Sequence, residues 1–376
     1  MRTSIVAALL LLSLSALADP PAGYYDSVDL TSSETLRNSL HAIIDGHTKI
    51  PYTSSSTDTW DVLKRADEDP FNSGRILDVY RNRTFTKYNG GNNFYNREHS
   101  WPNSYGFPDD NYSNKPYSDC HHLFLCDIGY NSDRGSRIFD NCESGCSILA
   151  TDDYNGQSGE NRTKNGYPNG IWETWDARKG DIARAQFYMD VRYEGDGSEP
   201  DLILVDDPNL IASCQTGDNE DIGYMGLLTV LLEWHEADPV DDRERNRNDW
   251  IYTYQHNRNP FIDHPDWVEG VYLGIVDAGE SSPASDFRIV GAWPNPFNPS
   301  TEIAIALPEA GRVKAEILTV DGRKIRSLLD EDREAGTISL HWDGRNDLGE
   351  VLPSGAYLCR IESGKEVDAH RLLLIK

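Results

Sequence analysis

Positive charge is scarce in this sequence: 35 Lys and Arg stand against 62 Asp and Glu, a formal net charge of −27. So acidic a chain has no overall attraction for a polyanion, which counts against tight, nonspecific coating of nucleic acid. Cysteine is sparse as well. Six cysteines in 376 residues, with no CxxC pair, do not make a zinc ribbon or finger. The HExxH signature of zinc peptidases is missing. Long apolar runs are missing too: the two most apolar stretches, residues 5–17 and 223–232, are too short to span a bilayer comfortably. Nor does any segment repeat.

What is present divides the chain into parts. Arg2, the apolar run 5–17 and the small-residue end Ala16-Leu17-Ala18 have the form of a secretory signal peptide, cut before Asp19. Export permits disulfides, and Cys142 and Cys146 bracket a turn that could close a small ring. Residues 19–276 read as one globular unit that mixes helices with long polar loops, and 277–289 as a small, polar, proline-containing linker. Residues 290–376 read as an all-β sandwich. There apolar residues alternate at Ile303, Ile305 and Leu307, at Val313, Ala315 and Ile317, and in three later runs, with Asp321-Gly322 as a turn. In the first unit, Tyr224, Leu227, Leu228 and Leu231 fall at helical spacing. Asp181 is placed to cap a helix over 182–193, and Asp238-Pro239 to start one running to about 256.

The chemistry concentrates in Asn96-Arg97-Glu98-His99-Ser100-Trp101-Pro102 and in Asp119-Cys120-His121-His122, continuing to Asn131-Ser132-Asp133-Arg134. Around these motifs the acidity relents: seven basic and six acidic residues lie between Arg81 and Arg137. Hydrolysis of a phosphodiester needs a base for water and positive charge beside the transition state. A neutral imidazole and a hard cation held by a carboxylate and an amide oxygen supply both, and His99, Glu98 and Asn131 offer that set. Neighbours on a regular strand face opposite ways, so Glu98 and His99 converge only if the strand ends or bulges there, and Trp101-Pro102 favours an end. Adjacent histidines are not the i, i+4 pair of a helical zinc site, so His121 reads as a positioning residue. Asp127, four residues before Asn131, would share a helical face with it. Glu244, Asn248, Ile251 and Gln255 share one face of the late helix, beside Arg247, and run into Asn257-Arg258-Asn259.

These motifs resemble the bacterial endonuclease I family, in order and over roughly residues 30–270: Arg-Glu-His with its proline, Asp-x-His through Asn-x-Asp-Arg, Gly180 to Met189, and the late helix. The resemblance implies an α+β fold with a ββα-metal core. It implies Glu98 and Asn131 as ligands of one Mg²⁺ (Mn²⁺ or Ca²⁺ substituting) and His99 as general base, leaving 5′-phosphate ends on DNA, and on RNA where only phosphates are contacted. Candidate phosphate contacts are Arg97, Arg134, Arg247, Asn257 and Arg258, with Lys115 as a stand-in for a family arginine that the divergent 103–118 segment hides. Asp119, His121, Glu244 and Gln255 are candidate supports behind the site. The C-terminal unit, through Asn295-Pro296-Phe297-Asn298-Pro299, Trp342-Asp343-Gly344 and Pro353-Ser354-Gly355, resembles the FlgD-type immunoglobulin-like and C-terminal sorting modules of exported bacterial proteins. That implies contact with a secretion machine. The expectation is a secreted, monomeric, metal-dependent endonuclease with no membrane span in the mature chain and little sequence specificity. The alternatives are a zinc hydrolase using His121 and His122, and a non-enzymatic surface protein that would tolerate His99→Ala.

Overall fold

The computed structural model describes residues 20–111, 114–166, 168–197, 199–274, 287–293, 297, 299–319, 322–353 and 355–374. The expected signal segment 1–18, Asp321 of the expected turn, and 277–286 of the expected linker lie outside the described residues, and a strand already begins at Arg288. The architecture is α+β. Among the described residues no helix is long and apolar enough to cross a membrane.

Strand β1 (Tyr95–His99) pairs antiparallel with β2 (Leu123–Asp127), Glu98 lying opposite Phe124 and His99 opposite Leu123. Helix α1 (Ile128–Arg134) follows β2 at once. The chain turns there because Asp127 caps the helix, accepting the backbone N–H groups of Gly129 and Tyr130. Asp127 therefore does not share a helical face with Asn131; its second oxygen pairs with Arg81 at 2.9 Å. The two strands and the helix make the expected ββα unit.

Behind it runs α2 (Lys179–Arg192), buried at every position from Gly180 to Arg192. A helix enclosed all round must turn its polar side chains to internal partners: Arg184 bonds Glu244, Gln186 donates to the Ser100 hydroxyl and Arg192 donates to His47, while Gln186 Oε1 and Arg192 Nη2 have no partner among the described residues. It starts three residues earlier than the sequence suggested, and Asp181 lies in its first turn instead of capping it. Asp238 explains part of this. It starts no helix. It ends α3 (Leu228–Ala237), and its carboxylate accepts the Gly180 N–H of α2 at 2.9 Å. A Cβ on Gly180 would lie 2.0 Å from the Asp238 carbonyl, so only glycine permits this approach. The late helix α4 (Asp242–Gln255) is capped instead by Asp241, which accepts the Glu244 N–H. The stripe from Tyr224 to Leu231 is not one helix either. Tyr224 lies on a strand, Ile222–Met225, parallel to Asp201–Leu204, and the helix begins at Leu228.

The C-terminal unit has two sheets: β3 (Arg288–Trp293), β4 (Thr301–Leu307) and β7 (Gly336–Trp342) in one; β6 (Lys324–Arg333), β5 (Gly311–Thr319), β8 (Gly355–Ser363) and β9 (Glu366–Leu374) in the other. Ile303, Ile305, Val313, Ala315, Ile317, Cys359 and Ile361 alternate into a core around Trp342, which packs on Phe297 and Tyr357. Cys142 and Cys146 form a disulfide, and the other four cysteines are buried thiols.

Four buried histidines tie this fold to pH. Burial holds His47, His121, His122 and His235 at about 4, below the ordinary 6.5, with Asp119 pulling the first three upward and neighbouring arginine charge adding to the depression in all four. His47 and His235 use Nδ1 to face the guanidinium N–H groups of Arg192 and Arg184, contacts that require the neutral ring. A histidine depressed in the fold binds its proton more readily when unfolded. Its stabilising effect is complete above pH 6.5 and is lost as pH falls toward 4. Burial also raises the Asp78 and Glu98 carboxyls to about 7, and these groups oppose the histidines, stabilising the fold as pH falls through the same range.

Candidate active site

β1 ends at His99 without a bulge in its pairing with β2. The pleat therefore turns Glu98 and His99 to opposite sides of the strand, and their contacts do not overlap. Glu98 is buried, and its Oε1 accepts the Tyr80 hydroxyl at 3.0 Å and pairs with Arg134 Nη1 at 3.0 Å. Burial pushes its carboxyl up to about 7, against the opposing pull of Arg134 and Tyr80. Among the described residues Oε2 accepts no hydrogen bond. Arg134, wholly buried at the end of α1, donates to the carbonyls of His99 at 2.8 Å and Ser100 at 2.6 Å, so it pins both Glu98 and the strand end. Asn131 lies three residues earlier on the same helix, on the face that Arg134 shares. Its Nδ2 is buried without a partner and its Oδ1 accepts nothing among the described residues.

His99 occupies a different setting. Its Nε2 lies 2.9 Å from the Tyr117 carbonyl, which can only accept, so Nε2 carries the proton and Nδ1 the lone pair. Its ring stacks on Tyr52 (centroids 5.6 Å apart, planes at 28°) and lies 4.9 Å from Tyr117 and 5.5 Å from His122. Burial above all, then the His122 ring, lowers its pKa to about 3. The turn Pro116–Ser118 serves both histidines, because His122 Nε2 donates to the Pro116 carbonyl at 2.8 Å.

Most of the expected phosphate contacts are elsewhere engaged. Arg97 is clamped between the rings of Tyr52 and Trp60, at 3.4 and 4.4 Å, and donates to the Tyr52 carbonyl and Thr59 hydroxyl. It orients the ring against which His99 stacks. Arg134 is turned inward, as described. Arg247 pairs with Asp67 and donates to the carbonyls of Cys120 and Leu123. Asn257 spans the Ile44 carbonyl and the Tyr188 hydroxyl, and Arg258 is held by Asp249 and Asp263. All three are buried. Lys115 pairs with Glu199. The polar face of α4 is thus packed, with Glu244 paired to Arg184 and Gln255 bonded to Asp119 and the Cys120 N–H.

Asp119 supports a loop, away from Glu98. It accepts the hydroxyls of Tyr188 and Tyr193 and the N–H of His121. Burial would raise its pKa, but His47, His121 and the Gln255 bond hold it well below the usual range. His121 leans on Tyr188 and reaches the Asn257 carbonyl. His122, not His121, is the neighbour of His99. The residues that the sequence reading missed are Tyr80, Tyr52, Tyr117 and His122.

The Endonuclease I family model matches residues 32–266, and the FlgD Ig-like domain model matches 295–366. An extracellular ribonuclease of Bacillus subtilis (strain 168) is 43% identical over 268 residues, 70% of this chain and 83% of the relative. An extracellular ribonuclease of Bacillus amyloliquefaciens is 41% identical over 266 residues, 69% of this chain and 82% of the relative. The solved FlgD structure from P. aeruginosa covers 24% of this chain and 67% of its own, at 19% identity and a TM-score of 0.17.

Proposed function

Since this chain belongs to the endonuclease I family and is a hydrolytic nuclease, we propose that it is a secreted, Mg²⁺-dependent endonuclease cutting RNA and DNA with little sequence preference. Membership in a family of nucleases removes the zinc hydrolase and the non-enzymatic surface protein from consideration. The observation that carries the finer reading is the fixed tautomer of His99, whose Nδ1 keeps its lone pair at the end of the strand that also carries Glu98.

Two oxygens fit a hard cation. Glu98 Oε2 and Asn131 Oδ1 accept no hydrogen bonds among the described residues, and the orphaned Asn131 Nδ2 suits an amide held for its oxygen. One carboxylate oxygen and one amide oxygen would suit Mg²⁺, a hard cation that is commonly held by few protein ligands. When bound there, the ion supplies positive charge beside the phosphorane-like transition state and the leaving 3′-oxygen.

The chain's own groups do the rest. His99 Nδ1 takes the proton from the attacking water while the Tyr117 carbonyl keeps Nε2 protonated and the ring in place. Tyr52, itself clamped by Arg97, walls one face of the ring. Arg134 and Tyr80 occupy Glu98 Oε1 and leave Oε2 as its free donor. Departure of the 3′-oxygen leaves a 5′-phosphate. The N-terminal segment and the FlgD-like module support export, and the relatives are extracellular enzymes by name. The module would meet a secretion machine, and the mature enzyme works as a monomer.

The test is cleavage of a single-stranded RNA and of plasmid DNA by residues 19–376, with Mg²⁺ and with EDTA. Both polymers should be cut only with metal, to fragments that a 5′-phosphate-dependent exonuclease degrades. Full activity in EDTA, or 5′-hydroxyl ends, would overturn the reading.

A further inference from the structure

A groove of about 540 Å³ lies at the far end of the same hairpin, beside the start of α1. Arg75, Arg81 and Arg83 line it together with Tyr88, Phe94 and Ile128. Two features set it apart. In a chain of net charge −27, three arginines meet here with one lining carboxylate, Asp127. And two large aromatic rings are left to solvent: Tyr88 is 38% and Phe94 50% exposed, stacked with centroids 5.5 Å apart and planes at 16°.

We propose that this groove binds a stretch of single-stranded nucleic acid flanking the cleaved bond, with an unpaired base stacked on the Tyr88–Phe94 pair and phosphates on the arginines. The proposal rests on the nuclease reading of the adjoining hairpin. An exposed aromatic platform edged by cations is the arrangement that holds single strands, because every base offers a π-face once it leaves the duplex. The platform is preorganised. Asn92 Oδ1 accepts the N–H groups of Phe94 and Tyr95, and the Tyr88 N–H donates to the Tyr95 hydroxyl. Arg75 is aimed by its bonds to Thr84 and has no carboxylate partner among the described residues. Arg81 and Arg83 share the partly exposed Asp152, which an incoming phosphate can displace, and Arg81 is also anchored by Asp127. Phe94 leads directly into β1 and Ile128 opens α1, so the groove joins the two elements that carry Glu98 and Asn131. At ~3.3 Å per residue, the four steps from Tyr95 to His99 span ~13 Å, placing the platform beyond the scissile position and along the strand.

The test uses the full mature chain carrying His99→Ala, so that bound strands survive, and fluorescence anisotropy of labelled single-stranded 12-mers of RNA and DNA. Tyr88→Ala with Phe94→Ala should weaken binding of both by about tenfold to a hundredfold. The exchange Tyr88→Phe with Phe94→Tyr, which keeps both π-faces, should retain it. Arg75→Gln should lower the salt slope of binding by roughly 0.7. Binding of a blunt duplex of equal length should not respond to the aromatic pair. Unchanged single-strand binding by the alanine pair, or equal loss in the aromatic exchange, overturns the proposal. Because binding is read without turnover, a chain that binds through Tyr88 and Phe94 but never cleaves would sink the mechanism and spare the groove. A chain that cleaves with metal but binds independently of the pair would do the reverse.

Discussion

His99→Ala should lower kcat for RNA and DNA cleavage by about 10²- to 10⁴-fold while leaving KM within a few-fold of the parent. The magnitude is that of removing a positioned general base. The split follows from the structure, because His99 holds its turn through one bond, to the Tyr117 carbonyl, and carries no charge at neutral pH. Loss of a neutral ring should cost little substrate binding and nearly all of the proton transfer. His122→Ala makes the useful comparison. It removes the neighbouring ring, and its bond to the Pro116 carbonyl, without touching the base. A smaller fall in kcat is expected, through loosening of the shared turn. Steady-state kinetics on both variants checks this, and a His99→Ala enzyme with parental kcat would be incompatible with the assigned role.

The second large effect concerns the oxygen ligands. Glu98→Gln should weaken Mg²⁺ binding by at least ~100-fold, since outer partners of metal ligands alone are worth 10–100-fold. Activity should fall to the level seen in EDTA. Glu98 is also the partner of a buried arginine, so the substitution removes the charge facing Arg134, which keeps its bonds to the His99 and Ser100 carbonyls, and destabilises the fold by about 1–3 kcal/mol. Asn131→Ala separates the two consequences. It removes a metal oxygen and an already unpartnered Nδ2, but no ion pair. It should lose Mg²⁺ and activity as Glu98→Gln does, with a melting temperature near the parent's. Isothermal titration with Mg²⁺ and a thermal scan distinguish the cases. Asn131→Ala with parental metal affinity would contradict the assignment.

The residues proposed to act on the substrate could be picked out because the chemistry they offer is written in side-chain type and order. Glu98, His99 and Asn131 stand in short motifs, and the strand end at Trp101-Pro102 could be read from proline's missing donor. The two-sheet sandwich was legible from alternation alone. The arginines were not. Nothing in the sequence distinguishes an arginine awaiting phosphate from one buried against Asp67, Asp263 or a row of carbonyls, and Arg134, Arg247 and Arg258 all proved to be the second kind. Which of His121 and His122 faces His99 depends on how the Asp119 loop enters β2, and the carbonyl of Tyr117 leaves no mark in any side chain. Helix starts went wrong where a cap serves another element: Asp238 reads as the start of its own helix but closes α2 through Gly180. The groove was hidden for a related reason. Counting charge over 81–137 shows near neutrality but not that Arg75, Arg81 and Arg83 line one groove with an exposed aromatic pair.

The measurement that reaches the central claim most directly is Mg²⁺ titration and single-turnover RNA cleavage on His99→Ala and Asn131→Ala side by side. In the proposed mechanism the base and the metal oxygens are separate devices, His99 turned to Tyr117 and Tyr52, Glu98 to Tyr80 and Arg134, and Asn131 on the helix. His99→Ala should therefore bind Mg²⁺ as the parent does and fail to cleave, while Asn131→Ala should fail at both. If His99→Ala loses the metal as well, or if Asn131→Ala keeps it and cleaves, this division of labour is wrong.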